Sequence, residues 1–257
     1  MTHDGSGDDS MSGDDTGNLR LLAIETSCAT GTLALASGGE VLERTIATAR
    51  EQTDLVLSFV NELLGDAGCA LGDLDAIVFG RGPGSFTGLR VAAAVAQGLS
   101  LASGVPIVSV SSLAALAQAG FEHRATSAAA AAGGEENQGA GPSHALCCVD
   151  ARMGEVYSAS FGWTEGLATP AGEEGIGPPE AVEPPDPPYL ALGDGFSAHA
   201  DALARVIEAA EAVETAVVPG ARQLLALAEP EIAAGRFLPL EAALPVYLRG
   251  SDAWRKS

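Results

Sequence analysis

The chain has 257 residues, with 34 Asp or Glu against 13 Lys or Arg, a formal net charge of −21 and 47% hydrophobic residues. That length and apolar content can bury a sizeable core, and we expect two lobes. The acidity speaks against independent nucleic-acid binding, because an acidic surface repels a phosphate backbone instead of releasing its counterions.

Residues 1–18 carry five Asp and no Lys or Arg amid Gly, Ser and Thr, and read as a disordered acidic tail. No basic segment followed by an apolar one opens the chain, so no secretory leader is expected. Cys28, Cys69, Cys147 and Cys148 show no C-x-x-C spacing. The expectation is a reduced, cytoplasmic protein.

The first lobe, residues 19–119, begins with a strand over Leu19–Ile24, a turn over Glu25–Gly31 and a strand over Thr32–Ser37. Gly38-Gly39 marks a hairpin into a third strand, Glu40–Ala47. Gln52–Ala67 is an amphipathic helix, with Leu55, Phe59 and Leu63 on one line and Val56, Val60 and Leu64 on the next. Asp75–Phe79 is a strand, Gly88–Ser103 a second helix, and Ile107–Val110 a buried strand after Pro106. This βββαβαβ order gives a mixed sheet with right-handed helical crossovers. Residues 91–121 hold no charged side chain, but Gln97, Gly104, Pro106 and several serines divide the run into a helix, a turn and a strand, not a membrane span. A helix lying on a sheet should carry charge on its outer side, and the second helix carries none from Val91 to Ser103. Ala94, Gly98 and Ala102 leave room there for close approach, so a cover is expected, either another subunit or the second lobe.

Residues 120–143 read as an Ala- and Gly-rich linker to the second lobe, residues 144–257. There His144–Val149 and Val156–Phe161 form a hairpin, and Cys147 and Cys148 should face opposite sides of it. Residues 164–188 read as a Pro- and Gly-rich insertion without definable structure. A strand over Tyr189–Leu192 and helices near Ala198–Ala212 and Ala221–Ala234 follow, and Pro245–Arg249 closes the lobe.

Between the fourth strand and the second helix lies Gly80-Arg81-Gly82-Pro83-Gly84-Ser85-Phe86-Thr87-Gly88-Leu89-Arg90. A phosphate-binding P-loop would need a Lys, and the chain's single Lys is Lys256. A dinucleotide fingerprint fails too, since its third glycine would fall on Ser85. The loop therefore reads as a corner piece: glycines and Pro83 shape it, Ser85 and Thr87 cap the helix, and Arg81 and Arg90 brace it or meet an anion or a partner's carboxylate. His3, His123, His144 and His199 are too scattered to bind a metal, and no G-x-S-x-G elbow is present. Glu25, Asp150 and Glu155 lie at strand ends, either as bases or magnesium ligands or in turn chemistry, with Glu155 pairing Arg152.

That loop, with Leu22-Ala23-Ile24-Glu25-Thr26-Ser27 before it and Ser109-Val110-Ser111-Ser112-Leu113 after it, resembles the TsaB (YeaZ) family, as do Asp150–Tyr157 and Pro245–Arg249. The resemblance spans roughly residues 19–250. It implies an α/β fold of two lobes, of the actin, sugar-kinase and Hsp70 type. It also implies a non-catalytic partner of TsaD, the enzyme that transfers threonylcarbamoyl to N6 of adenosine 37 in tRNA, with the ATPase TsaE completing the complex. In the family the first-lobe helices serve self-association and TsaD binding, which assigns Leu55, Phe59, Val91, Ala94, Val95, Gly98 and Ala102 to a partner interface. Glu25, Thr26, Ser27, Asp150, Arg152 and Glu155 are the candidates for a composite nucleotide site, where ATP and magnesium would bind only in the complex. No cofactor, metal or membrane contact of its own is implied. The H-x-x-x-H metal pair of TsaD is missing, and Gln52-Thr53 stands where many members have His-Ser. Two further readings are an ATP-dependent phosphotransferase of this fold and a peptidase-like metalloprotein.

Overall fold

The computed structural model describes residues 19–131 and 142–249, so the acidic tail lies outside the described residues. Five strands form the first sheet: β1 (Leu21–Glu25), β2 (Gly31–Ser37), β3 (Glu40–Ile46), β4 (Ala76–Gly80) and β5 (Ile107–Val110), in the order β3-β2-β1-β4-β5. β1 is central and wholly buried, antiparallel to β2 and parallel to β4. Gly38 and Gly39, both at positive φ, make the hairpin between β2 and β3.

Alternation along β1 divides its side chains between two cores. Leu22 and Ile24, with Ile77 and Phe79 of β4, meet α1 (Ala49–Asp66) and α2 (Phe86–Ser103). Leu21, Ala23, Ala76 and Val78 face the opposite way, onto Ala221, Leu224, Leu225, Ala228 and Ile232. These belong to a late helix, Ala221–Ala233, which the sequence places in the second lobe.

The second sheet contains β6 (His144–Arg152), β7 (Glu155–Thr164), β8 (Leu167–Pro170), β9 (Gly175–Gly177), β10 (Tyr189–Leu192) and β11 (Ala212–Glu214). Its order is β11-β10-β6-β7-β8, with β9 also paired to β7. With β9 set aside, the strands read from β8 run third, second, first, fourth and fifth in chain order, the same order and the same strand senses as in the first sheet. Both lobes are thus one hairpin-plus-parallel design, as expected. Cys147 and Cys148 lie on opposite faces of β6, in separate cores, and all four cysteines are free thiols.

Three boundaries differ from expectation. The expected linker at 120–143 is helical in its first half, because α3 spans Ser112–Ala131. Alanine favours helix without giving a period, and Leu113, Leu116, Ala117 and Phe121 bury this helix against β6, β7 and β10. The insertion at 164–188 is built, carrying β8, β9 and a 3₁₀ turn at Pro179–Ala181. The helix expected at Ala198–Ala212 is two short helices, α4 (Gly195–Ala198) and α5 (Ala204–Ala209), followed by β11.

The lobe boundary differs too. Helix α6 (Ala221–Ala233) covers the first sheet, and the chain after it runs along that lobe. Leu238 N–H donates to the Ile107 carbonyl at 2.8 Å, and Gln97 Nε2 of α2 donates to the Ala243 carbonyl at 2.9 Å. Residues 221–247 therefore complete the first lobe, so residues 144–257 are not one lobe. Among the described residues no helix is long and apolar enough to cross a membrane.

Candidate functional site

The glycine loop is anchored by β1 and β5. Arg81 N–H donates to Val110 O (2.8 Å), Ser112 N–H to Gly82 O (2.9 Å) and Ser85 N–H to Ser27 O (2.6 Å). The Thr26 hydroxyl donates to Gly88 O at 2.7 Å. A side chain at Gly80 would collide with the Glu25 carboxylate, and one at Gly88 with the Thr26 carbonyl, so glycine here permits close packing of protein on protein. Ser85 caps α2, its hydroxyl accepting from Gly88 N–H at 3.4 Å. Thr87, also expected to cap, is exposed in the first turn and does not. Gln52, at the position where the family resemblance suggests His, is buried and donates to the Cys28 carbonyl at 2.9 Å.

Glu25 is fully buried and faces inward. Its oxygens accept from Ser27 N–H (2.6 Å) and the Ser112 hydroxyl (2.9 Å). Burial pushes its pKa up, and the hydrogen bonds from Ser27 and Ser112 offset part of that. Since Ser112 opens α3, this carboxylate fastens the β1 turn to the helix that leads into the second lobe.

Across the cleft, Asp150 accepts from Arg152 N–H (2.9 Å) and the Arg152 guanidinium (2.8 Å), with His199 Nε2 at 3.2 Å. Burial raises its pKa, but those hydrogen bonds and charges outweigh burial and hold the carboxyl below the usual range. Glu155 pairs with Arg249 at 2.6 Å and not with Arg152, whose partner is Asp150. The turn preceding Glu155 points the two side chains to different neighbours: Arg152, Met153 and Gly154 all have positive φ.

Between these groups lies a cavity of about 60 Å³, with Ser27, Cys28, Ser112, Val149, Asp194 and Thr215 among its lining residues. It has room for a few waters. Of the six nucleotide-site candidates Ser27 alone lines it; Glu25 and Thr26 are fully buried, Asp150 adjoins it through the Asp194 carboxylate (3.0 Å), and Arg152 and Glu155 lie outside the lining. Burial and the charge of Glu25 push the Cys28 thiol up to about 11. Among the described residues no group of three or more His, Cys, Asp or Glu is arranged to hold a metal ion.

Arg81 and Arg90 diverge. Arg81 crosses to the second lobe and forms a bidentate pair with Glu174, both contacts 3.0 Å. Arg90 lies over the Phe86 ring, its guanidinium carbon 3.4 Å from the centroid, and Nε donates to the Tyr247 hydroxyl at 3.1 Å. Val246 N–H donates to Arg81 O at 2.9 Å, so the terminal strap touches the loop twice. Glu174 lies in the segment read as an insertion, and nothing in the sequence signals a pairing 93 residues away.

The second lobe leaves the outer side of α2 open. Phe86, Arg90, Ala94, Gly98 and Ala102, four residues apart, are all exposed. Val91 and Val95, with Leu55 and Phe59 of α1, flank that row half-buried. Leu57 (53% exposed) and Leu101 (75% exposed) extend the apolar surface and were not among the expected residues.

The sequence profile described as "TsaD: tRNA N6-adenosine threonylcarbamoyltransferase" matches residues 45–256. The chain is 32% identical over 243 residues to tRNA threonylcarbamoyladenosine biosynthesis protein TsaB of Escherichia coli (strain K12), covering 93% of this chain and 98% of that protein. It is 31% identical to the protein of the same name from Haemophilus influenzae, covering 93% and 97%. The solved structure of YeaZ from Pseudomonas aeruginosa matches with a TM-score of 0.76 at 34% identity, covering 90% of this chain and 100% of that one. Agreeing in sequence and in fold over most of its length, the chain belongs to the TsaB (YeaZ) family of tRNA threonylcarbamoyladenosine biosynthesis proteins.

Proposed function

We propose that this protein is a non-catalytic subunit of tRNA N6-threonylcarbamoyladenosine synthesis that binds TsaD through the α1–α2 face and stabilises its active form. The observation that carries the reading is that α2 has no charged residue from Val91 to Ser103 while Ala94, Gly98, Leu101 and Ala102 remain exposed. An uncharged helical face of this kind fits a protein partner. The names of the relatives support the pathway, and TsaD as the partner is part of the proposal. In this reading the protein acts in the cytoplasm without a metal or cofactor of its own. TsaE joins the complex, ATP with magnesium binds only at a composite site, and the same face supports a homodimer when TsaD is absent.

The test is co-elution with TsaD on a sizing column. Ala94→Arg or Gly98→Arg places a charged, bulky side chain on the exposed row and should abolish both co-elution and tRNA modification, leaving the thermal midpoint of the isolated protein near wild type. A folded variant that still co-elutes and supports the modification would refute the proposed interface.

A further inference from the structure

At the loop end of the exposed α2 row, the only charged side chain is Arg90. It is held on three sides of its chemistry: its guanidinium is stacked on Phe86, it lies 5.7 Å from the Tyr247 ring centroid, and its Nε–H is engaged by the Tyr247 hydroxyl. Phe86 and Tyr247 are themselves 43% and 48% exposed, with ring centroids 5.7 Å apart. Arg90 nevertheless forms no ion pair among the described residues, in a chain carrying 34 acidic side chains. Arg81, Arg152 and Arg249, by contrast, are each paired with a carboxylate. A guanidinium already fixed in orientation loses little further freedom when it binds, and its planar fork matches a carboxylate.

We propose that Phe86, Arg90 and Tyr247 form a preorganised receptor for a carboxylate on the partner protein, placed where it marks one end of the α2 contact. This rests on the reading of the α2 face as the partner interface. A side-chain carboxylate fits better than an RNA phosphate for two reasons. The single cation of this receptor, on a strongly acidic molecule, is too little to hold a polyanion, and the receptor is continuous with an apolar helix face suited to protein. A partner seated on the α2 face would cover the half-exposed rings and the ion pair together, which makes this arginine an anchor and not a rim charge.

Titration calorimetry of the full chain against purified TsaD, without and with tRNA, tests it. Arg90→Gln should weaken TsaD binding about 10- to 100-fold without RNA, with an unchanged thermal midpoint. Arg90→Lys keeps the charge but not the fork, and should restore only part of the affinity; Tyr247→Phe, which removes the hydroxyl that fixes Nε, should cost a few-fold. If Arg90→Gln binds TsaD like wild type while Gly98→Arg does not bind, the receptor is refuted and the interface stands. If Gly98→Arg also binds normally, the interface reading itself fails. If Arg90→Gln alters only the affinity of the assembled complex for tRNA, the anion is a phosphate and the proposal is overturned.

Discussion

Two glycines of the same helix should respond to alanine with opposite signs. At Gly88 an added Cβ would overlap the Thr26 carbonyl oxygen and come within 3.2 Å of Gln52 Oε1. Neither neighbour can retreat cheaply. Thr26 is fully buried and its hydroxyl is bonded to Gly88 O at 2.7 Å, and Ser27 O accepts from Ser85 N–H at 2.6 Å. Making room means drawing the start of α2 off the β1 turn. That forfeits two hydrogen bonds at about 1 kcal/mol each and adds about 1–3 kcal/mol of overpacking, against a helix-propensity gain of about 0.5–1 kcal/mol. The net loss is about 2–4 kcal/mol, or roughly 5–15 °C in thermal midpoint for a chain of this size. At Gly98 a Cβ meets nothing within 4 Å. There only the propensity gain remains, about 0.5–1 kcal/mol and a rise of roughly 1–4 °C. Calorimetric melts of Gly88→Ala and Gly98→Ala decide the matter. Equal midpoints, or a drop for Gly98→Ala, would refute the account of the loop as a close-packed corner.

Two other outcomes follow from the same junction. Glu25 has a raised pKa in the folded state, so the wild type loses stability as pH rises from the ordinary carboxylate range through that folded value and keeps the penalty above it. Glu25→Gln can still accept from Ser27 N–H and bond the Ser112 hydroxyl. It should be more stable than wild type at pH 8, the difference closing as pH falls toward the unfolded carboxylate range; urea titrations showing a gap that does not change with pH would contradict this. Arg81 and Glu174, with side chains 28% and 15% exposed, should show a coupling of about 1–3 kcal/mol in a double-mutant cycle of Arg81→Ala and Glu174→Ala. Additivity within about 0.5 kcal/mol would mean the pair does not join the lobes.

What the sequence reveals and hides here follows from distance along the chain. The first sheet is legible because its signals are local: apolar runs for β1, β4 and β5, Gly38-Gly39 between β2 and β3, and a glycine corner ending in the Ser85 cap. The missing charge on α2 is legible too, and it falls on a face that the second lobe leaves open. The partners of charged side chains are not legible. Arg152 and Glu155 are close in sequence, yet the positive-φ turn between them sends Glu155 to Arg249, and Arg81 finds Glu174. Nor is the far half of α3, where alanine supports helix without marking a face. The candidate site suffers most, because its lining residues come from six separate stretches between Ser27 and Pro219.

The position of α6 has a consequence for how the molecule is made. One face of the first sheet, bearing Leu21, Ala23, Ala76 and Val78, has no cover until residues 221–233 exist. On the ribosome the first lobe must therefore wait, its strands formed but one greasy side unsealed, while the whole second lobe is synthesised. The β6–β11 sheet, by contrast, has α3 to α5 at hand as soon as it emerges. Maturation thus runs against chain order, the C-terminal sheet closing first and the N-terminal one last, and a nascent chain stalled before residue 221 would present trigger-type chaperones with an apolar sheet face of its own making.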